Sequence, residues 1–237
     1  MIPLYDDNPR STFPIVTLAL IGVNVLVFLL QQLAPVGSYA FMMVPSVLTG
    51  AGPGQISSAQ GTFLLPPPGL HPVWLTIFSS MFMHGGLMHI GGNMLYLWIF
   101  GDNIEDDLGH FKYLFFYLAV GFVASVAHVV SGPTSTIPTL GASGAIAGVM
   151  GGYILLHPRT DVHCLVPFGA LSTLMRVPAW IVLGVWFVYQ VLLNQLGQQG
   201  GGGGVAYAAH IGGFVAGLIL IKLFGPKRET ARESYWR

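Results

Sequence analysis

Charge is what this sequence has least of. Only 8% of its 237 residues are Asp, Glu, Lys or Arg, while 53% are hydrophobic and the mean hydropathy is +0.68. Soluble domains carry about 25% charged residues. A chain of this size cannot hide so much apolar surface in its own core, so a lipid solvent is required. Formal net charge is zero, and the missing basic footprint argues against nucleic acid as a partner. The lone cysteine, Cys164, excludes an intrachain disulfide and a Cys-based zinc site; it reads as a small buried hydrophobe. No Glu follows any His, which excludes the H-E-x-x-H zinc proteases.

What is abundant is apolar sequence in lengths that cross a bilayer, which takes roughly 20 residues as helix. Six stretches qualify: Ile15–Leu33, Gly86–Gly101, Tyr113–Val130, Ser143–Leu156, Pro178–Leu196 and Ala206–Phe224, the second and fourth being short. The first is too long for a signal-peptide core and has no basic segment before it, so it reads as a retained span. The expected fold is therefore an all-α, six-helix polytopic membrane bundle. Its parts are a short N-terminus (1–14), a membrane domain (15–224) with a long 34–73 loop, and a C-terminal tail (225–237).

The nine basic residues fix an orientation. Arg10, Lys112, Arg159, Arg176, Lys222, Lys227, Arg228, Arg232 and Arg237 fall only at the termini, in the 2–3 loop, in the 4–5 loop or at the end of the last span. The positive-inside rule then places both termini in the cytoplasm. All nine carboxylates fall on that side too, leaving the outer loops uncharged. The 1–2 loop is rich in Gly and Pro yet apolar; residues 38–48, with Phe41, Met42 and Met43, are expected to rest on the outer leaflet. Residues 49–69, with Phe63 and Leu64, read equally as membrane-resting or as a low-complexity insertion.

Under this topology spans 2, 4 and 6 all enter from outside, so the polar residues near their starts share one depth. These are His84, His89 and Asn93; Ser143 within Gly141-Ala142-Ser143-Gly144; and His210. Intramembrane polar groups point to a functional site. His89 and Asn93, four apart, share a helix face. Gly144, Gly148 and Gly152 form a strip on span 4, and Gly213 and Gly217 follow His210 on span 6. Small residues at this spacing allow helices to approach closely, as a Ser–His contact of about 2.6–3.2 Å requires. Asn93, His89 and the Ser143 N–H could act as oxyanion donors. With every acid at the opposite face, the constellation is a Ser143–His210 dyad rather than a triad. Taken singly, Ser143 reads as an N-cap, a membrane histidine as a packing group and the glycines as helix packing.

Taken in order, His84-Gly85-Gly86-Leu87-Met88-His89-Ile90-Gly91-Gly92-Asn93, Gly141-Ala142-Ser143-Gly144 and Ala209-His210-Ile211-Gly212-Gly213 with Gly217 resemble the rhomboid family of intramembrane serine proteases, over Val73 to Phe224. The resemblance implies Ser143 as nucleophile, His210 as general base, and His89, Asn93 and the Ser143 N–H around the oxyanion. It gives His84 a shaping role beside Gly141, Gly144, Gly213 and Gly217. It implies transmembrane protein substrates cut near the outer face, water entering from outside, and no metal or organic cofactor. Two departures stand out. Where some members carry a Tyr stacked on the catalytic His, this chain has Ala147, so His210 must be held otherwise, with packing as the candidate. Where many carry Trp-Arg in the 1–2 loop, Trp74 is followed by Leu75.

The expected role is thus an intramembrane serine endopeptidase, with a bacterial cytoplasmic membrane as the expected location. An aspartyl protease would need two membrane-embedded Asp, and this topology places none. The competing readings are a rhomboid-like protein that binds transmembrane segments without cutting, and a small transporter or channel. Transporters often show paired internal repeats, and none is seen here.

Overall fold

Long runs of Leu, Ile, Val, Phe and Ala without internal proline favour helix, and six principal helices form. They are α1 (Ile15–Leu33), α2 (Leu87–Leu108), α3 (His110–Ser131), α4 (Ser143–Leu156), α5 (Ala179–Gly200) and α6 (Tyr207–Phe224). The computed structural model describes residues 1–58, 61–65, 72–168, 171–200 and 206–226. Among these, four helices are long and apolar enough to cross a membrane: Ile15–Leu33, His110–Ser131, Ala179–Leu196 and Tyr207–Phe224. A fifth candidate span is bent, with short turns over Val73–Phe82 meeting α2 at 80°. The chain is a mostly helical, multi-pass integral membrane protein.

The 14-residue α4 is shorter than a bilayer-crossing helix, and its surroundings explain why it can be. Every residue from Gly144 to Tyr153 is buried. A helix apolar and small all round is a core helix, and α4 packs against α2, α3 and α6. Tyr113, Phe116, Tyr117 and Val120 of α3, with Leu97, Phe100 and Ile104 of α2, complete the core around it.

The approach of α4 and α6 is close enough to require glycine. A Cβ on Gly213 would lie 2.1 Å from the Gly144 carbonyl oxygen, and one on Gly217 1.9 Å from that of Gly148. The two glycine strips are not equivalent, however. The Cβ positions of Gly144 and Gly148 face Ala124 and Val120 of α3, so α4 uses its glycines to admit a third helix.

The all-α expectation omitted two small sheets. β1 (Ile2–Asp6) pairs antiparallel with β4 (Asp161–Phe168), which pairs with β5 (Leu171–Pro178). Val162, Cys164, Val166 and Val177 alternate inward to join the core, so the 4–5 loop and the N-terminus form one cap rather than free segments. The second sheet is a hairpin, β2 (Gly54–Ser58) with β3 (Gly61–Leu65).

The 1–2 loop also differs from expectation. Met42 and Met43 are buried in the protein, and only Phe41 of the three is exposed. The cause is a zipper to the 3–4 loop: Met43 and Thr139 exchange backbone hydrogen bonds at 3.2 and 2.7 Å, and the Ser46 N–H donates to Ser135 at 2.9 Å. The Phe63 and Leu64 side chains and the PPPGLH segment (66–71) lie outside the described residues, as do Lys227, Arg228, Glu229, Arg232, Glu233 and Arg237.

One end of the bundle gathers the described carboxylates. Glu105, fully buried, accepts from the backbone N–H groups of Val16 and Thr17 and from the Thr17 hydroxyl, at 2.7–2.8 Å. It thereby caps the α1 start, where N–H groups lack intrahelical partners. Asp106 accepts from Ser11 and Thr12, Arg10 pairs with Asp102 at 2.8 Å, and His157 meets Asp107 at 2.6 Å. Ser143, His210, His89 and Asn93 belong to the opposite end.

Candidate active site

The site is assembled from helix starts. Ser143 is the first residue of α4, and Gly141, two residues before it, takes φ +130°, a backbone region that side chains with a Cβ rarely occupy. Its N–H donates to the Ser80 carbonyl at 2.9 Å, fixing the approach to α4. His210 lies one turn into α6. The close α4–α6 approach then brings His210 Nε2 to 2.7 Å from Ser143 Oγ. That is a full hydrogen bond between groups 67 positions apart in the chain.

A second imidazole borders the serine. A Cβ built on Gly141 would sit 2.9 Å from His89 Nε2 and 3.6 Å from Ser143 Oγ, so both atoms face the same small space. The Gly85 N–H donates to His89 Nδ1 at 3.3 Å. An Nδ1 that accepts leaves the ring proton on Nε2, directed toward the serine. Asn93, one turn on, is buried and its Nδ2 has no hydrogen-bond partner among the described residues. A buried donor without a partner is costly and calls for a reason.

His84 stands behind this pair, edge-on to His89 with ring centroids 5.1 Å apart. Its backbone is clamped by Gln31 of α1, whose Oε1 accepts from the His84 N–H at 3.0 Å. Neither ring nitrogen of His84 has a hydrogen-bond partner among the described residues.

Sequence reasoning missed Gln190. This buried α5 side chain places Oε1 2.8 Å from His210 Nδ1, the opposite ring nitrogen from the one facing Ser143. Trp186, one turn earlier on α5, tilts against the same imidazole with centroids 5.8 Å apart. The available signal was a polar amide inside an apolar span, the same signal that marked Asn93. His128 was also passed over; its Nε2 lies 2.9 Å from the Thr139 hydroxyl, tying the end of α3 to the 3–4 loop.

The Rhomboid domain family model matches residues 71–227, a stretch that holds His84, His89, Asn93, Ser143, Gln190 and His210. The chain belongs to the rhomboid family. Similar proteins include Rhomboid protein 1, mitochondrial, of Saccharomyces cerevisiae, 30% identical over 151 residues, covering 61% of this chain and 40% of that protein. Rhomboid protease GluP of Bacillus subtilis is 29% identical over 154 residues, covering 64% and 26%. Presenilin-associated rhomboid-like protein, mitochondrial, of Bos taurus is 30% identical over 146 residues, covering 60% and 36%. This rhomboid thus spans well under half the length of these three relatives. The family includes serine intramembrane proteases.

Proposed function

We propose that this rhomboid is an intramembrane serine endopeptidase that hydrolyses peptide bonds in or near transmembrane segments of other membrane proteins. The 2.7 Å contact between Ser143 Oγ and His210 Nε2 carries this reading. In it, the Ser143 hydroxyl gives its proton to His210 as it attacks the scissile carbonyl carbon. The resulting oxyanion is held by the Ser143 N–H, Asn93 Nδ2 and His89 Nε2–H, donors positioned before charge develops. The His210 imidazolium then protonates the departing amine. Water attacks the acyl-enzyme with His210 again as base, releasing the second product and restoring the serine. The buried Asn93 Nδ2, without a hydrogen-bond partner among the described residues, supports this reading over a binding-only rhomboid, because an oxyanion would supply a partner for it.

The proposed topology has six spans over residues 15–224, counting the bent α2 segment and the enclosed α4. Residues 1–14 and 225–237 lie in the cytoplasm, and the site opens to the other side. A bacterial cytoplasmic membrane is the proposed location. Reporter tags on both termini test the orientation: opposite-sided signals would rule out an even span count.

The decisive chemical experiment is labelling with a fluorophosphonate probe. Wild type is expected to label, and Ser143→Ala to lose the label while remaining folded in the membrane. Ser143→Ala and His210→Ala should each abolish cleavage of a transmembrane substrate. Proteolysis that survives in either variant would reject the dyad.

A further inference from the structure

We infer that Gln190 is a positioning residue that fixes the proton of His210 on Nδ1 and so keeps Nε2 free to accept from Ser143. The inference rests on the protease reading for its kinetic consequences, but not for its structural content.

A neutral imidazole carries one N–H and one lone pair, and the partner of one nitrogen decides the state of the other. Gln190 Oε1, at 2.8 Å from Nδ1, is an acceptor only. The proton must therefore sit on Nδ1, and the Nε2 lone pair faces Ser143 Oγ at 2.7 Å. If the amide were turned over, its NH₂ would meet Nδ1, the proton would move to Nε2, and the dyad would be idle as a base. Loss of the correct tautomer is a large effect in serine hydrolases: about 10⁴-fold where the orienting carboxylate is replaced by an amide. In this chain the amide itself orients the ring.

The surroundings leave this role to Gln190. Position 147, where the resemblance gives some family members a Tyr stacked on the catalytic histidine, is alanine. The described carboxylates gather at the far end of the bundle. Among the described residues His89 and His128 act on His210 electrostatically and the Tyr207 ring lies edge-on to it at 6.4 Å, while the partner found on Nδ1 is Gln190. Gln190 is 6% exposed and reaches His210 from a different helix; with Trp186 beside it, α5 holds the ring on one flank. A neutral acceptor also suits this depth, since a carboxylate there would add a buried charge.

The test uses the full chain in detergent micelles or proteoliposomes, with a fluorogenic transmembrane peptide as substrate. Gln190→Met keeps the side-chain length and removes the acceptor; kcat should fall at least tenfold with KM within twofold. Gln190→Glu should stay active and move the acidic limb of the kcat/KM–pH profile upward by about one pH unit, because a carboxylate favours the imidazolium. A Gln190→Met enzyme with wild-type kcat, or a Gln190→Glu profile whose acidic limb does not move, would overturn the assignment. Independently of turnover, ¹⁵N shifts of the His210 ring in the Ser143→Ala background should report the Nδ1–H tautomer, and a mixture once Gln190→Met is added. Pure Nε2–H with Gln190 present would also overturn it. If wild type shows no Ser143-dependent cleavage, the protease reading fails while the tautomer measurement still decides Gln190.

Discussion

At the scale of single residues, the site is a set of donors and acceptors whose partners are fixed in advance. His89 is turned by the Gly85 N–H so that its own proton points toward Ser143, and the buried Asn93 Nδ2 has no hydrogen-bond partner among the described residues. Preorganised donors act on charge that forms only in the transition state, so removing one should depress kcat more than binding. Asn93→Ala is accordingly expected to lower kcat by about 10²–10³-fold with KM little changed, as steady-state kinetics on a transmembrane peptide will measure. An unchanged kcat would remove Asn93 from the oxyanion role. Gln190 escaped the sequence reading for a residue-scale reason. A glutamine in a helix has no fixed direction until its neighbours are known, and nothing in the α5 sequence says which face meets α6.

At the scale of elements, helices were legible because hydropathy and length are local properties. Ile15–Leu33 and Ser143–Leu156 have the expected bounds, while α2 runs seven residues beyond the expected Gly101 to Leu108. Those extra residues include Asp102, Glu105, Asp106 and Asp107, whose charges look incompatible with a span. Arg10, Ser11, Thr12 and Val16, which meet Asp102, Glu105 and Asp106, are some ninety positions away, and His157, which meets Asp107, is 50 away, so the sequence alone could not show these acids as satisfied. The β1–β4–β5 sheet was missed for the same reason: β1 finds its partner about 160 residues later. The Gly213 and Gly217 contacts with α4, by contrast, follow from spacing, whereas Gly144 and Gly148 turn to α3; the former carry a prediction. Gly217→Ala would drive a methyl into the Gly148 carbonyl, at 1.9 Å, and the backbones must separate. Because Ser143 and His210 ride on those two helices, a shift of about 1 Å is enough to cost on the order of 10²-fold in rate. Activity should therefore fall well before the protein unfolds; parallel measurement of turnover and thermal midpoint in micelles checks this. Loss of fold in step with activity would mean the contact matters to stability alone.

At the scale of the whole molecule, the two ends of the bundle do different work. The site end holds histidines, amides and a serine, with no carboxylate nearby among the described residues. The charged end ties the N-terminal strand, α1, α2, α4 and the β4–β5 hairpin through acids and histidines, including His163 with Asp7 at 2.9 Å. Asp6 is the strained member of this network. Its carboxylate is pushed up from 3.8 to about 6 by burial, with the Asp102 carboxylate adding to the effect; the hydrogen bond donated by the Tyr153 hydroxyl and the nearby His157 act in the other direction. A folded-state value above the unfolded one means that the native protein binds a proton the unfolded chain does not, between about pH 4 and 6. Asp6 therefore contributes most to stability below its unfolded value, and that contribution is lost as pH rises through 6. Asp6→Asn keeps an acceptor for Tyr153 without the charge. It should be more stable than wild type at pH 7.5, by about 1–2 kcal/mol, and the gap should shrink as pH falls through 6 and close below 3.8. Thermal midpoints of the two proteins in mild detergent across that range measure the gap directly, and their common response to pH cancels the histidine–carboxylate pairs they share. A gap that stays constant, or that widens as pH falls, would mean that the Asp6 carboxylate is not held at a cost and that β1 docks through its backbone pairing with β4 alone.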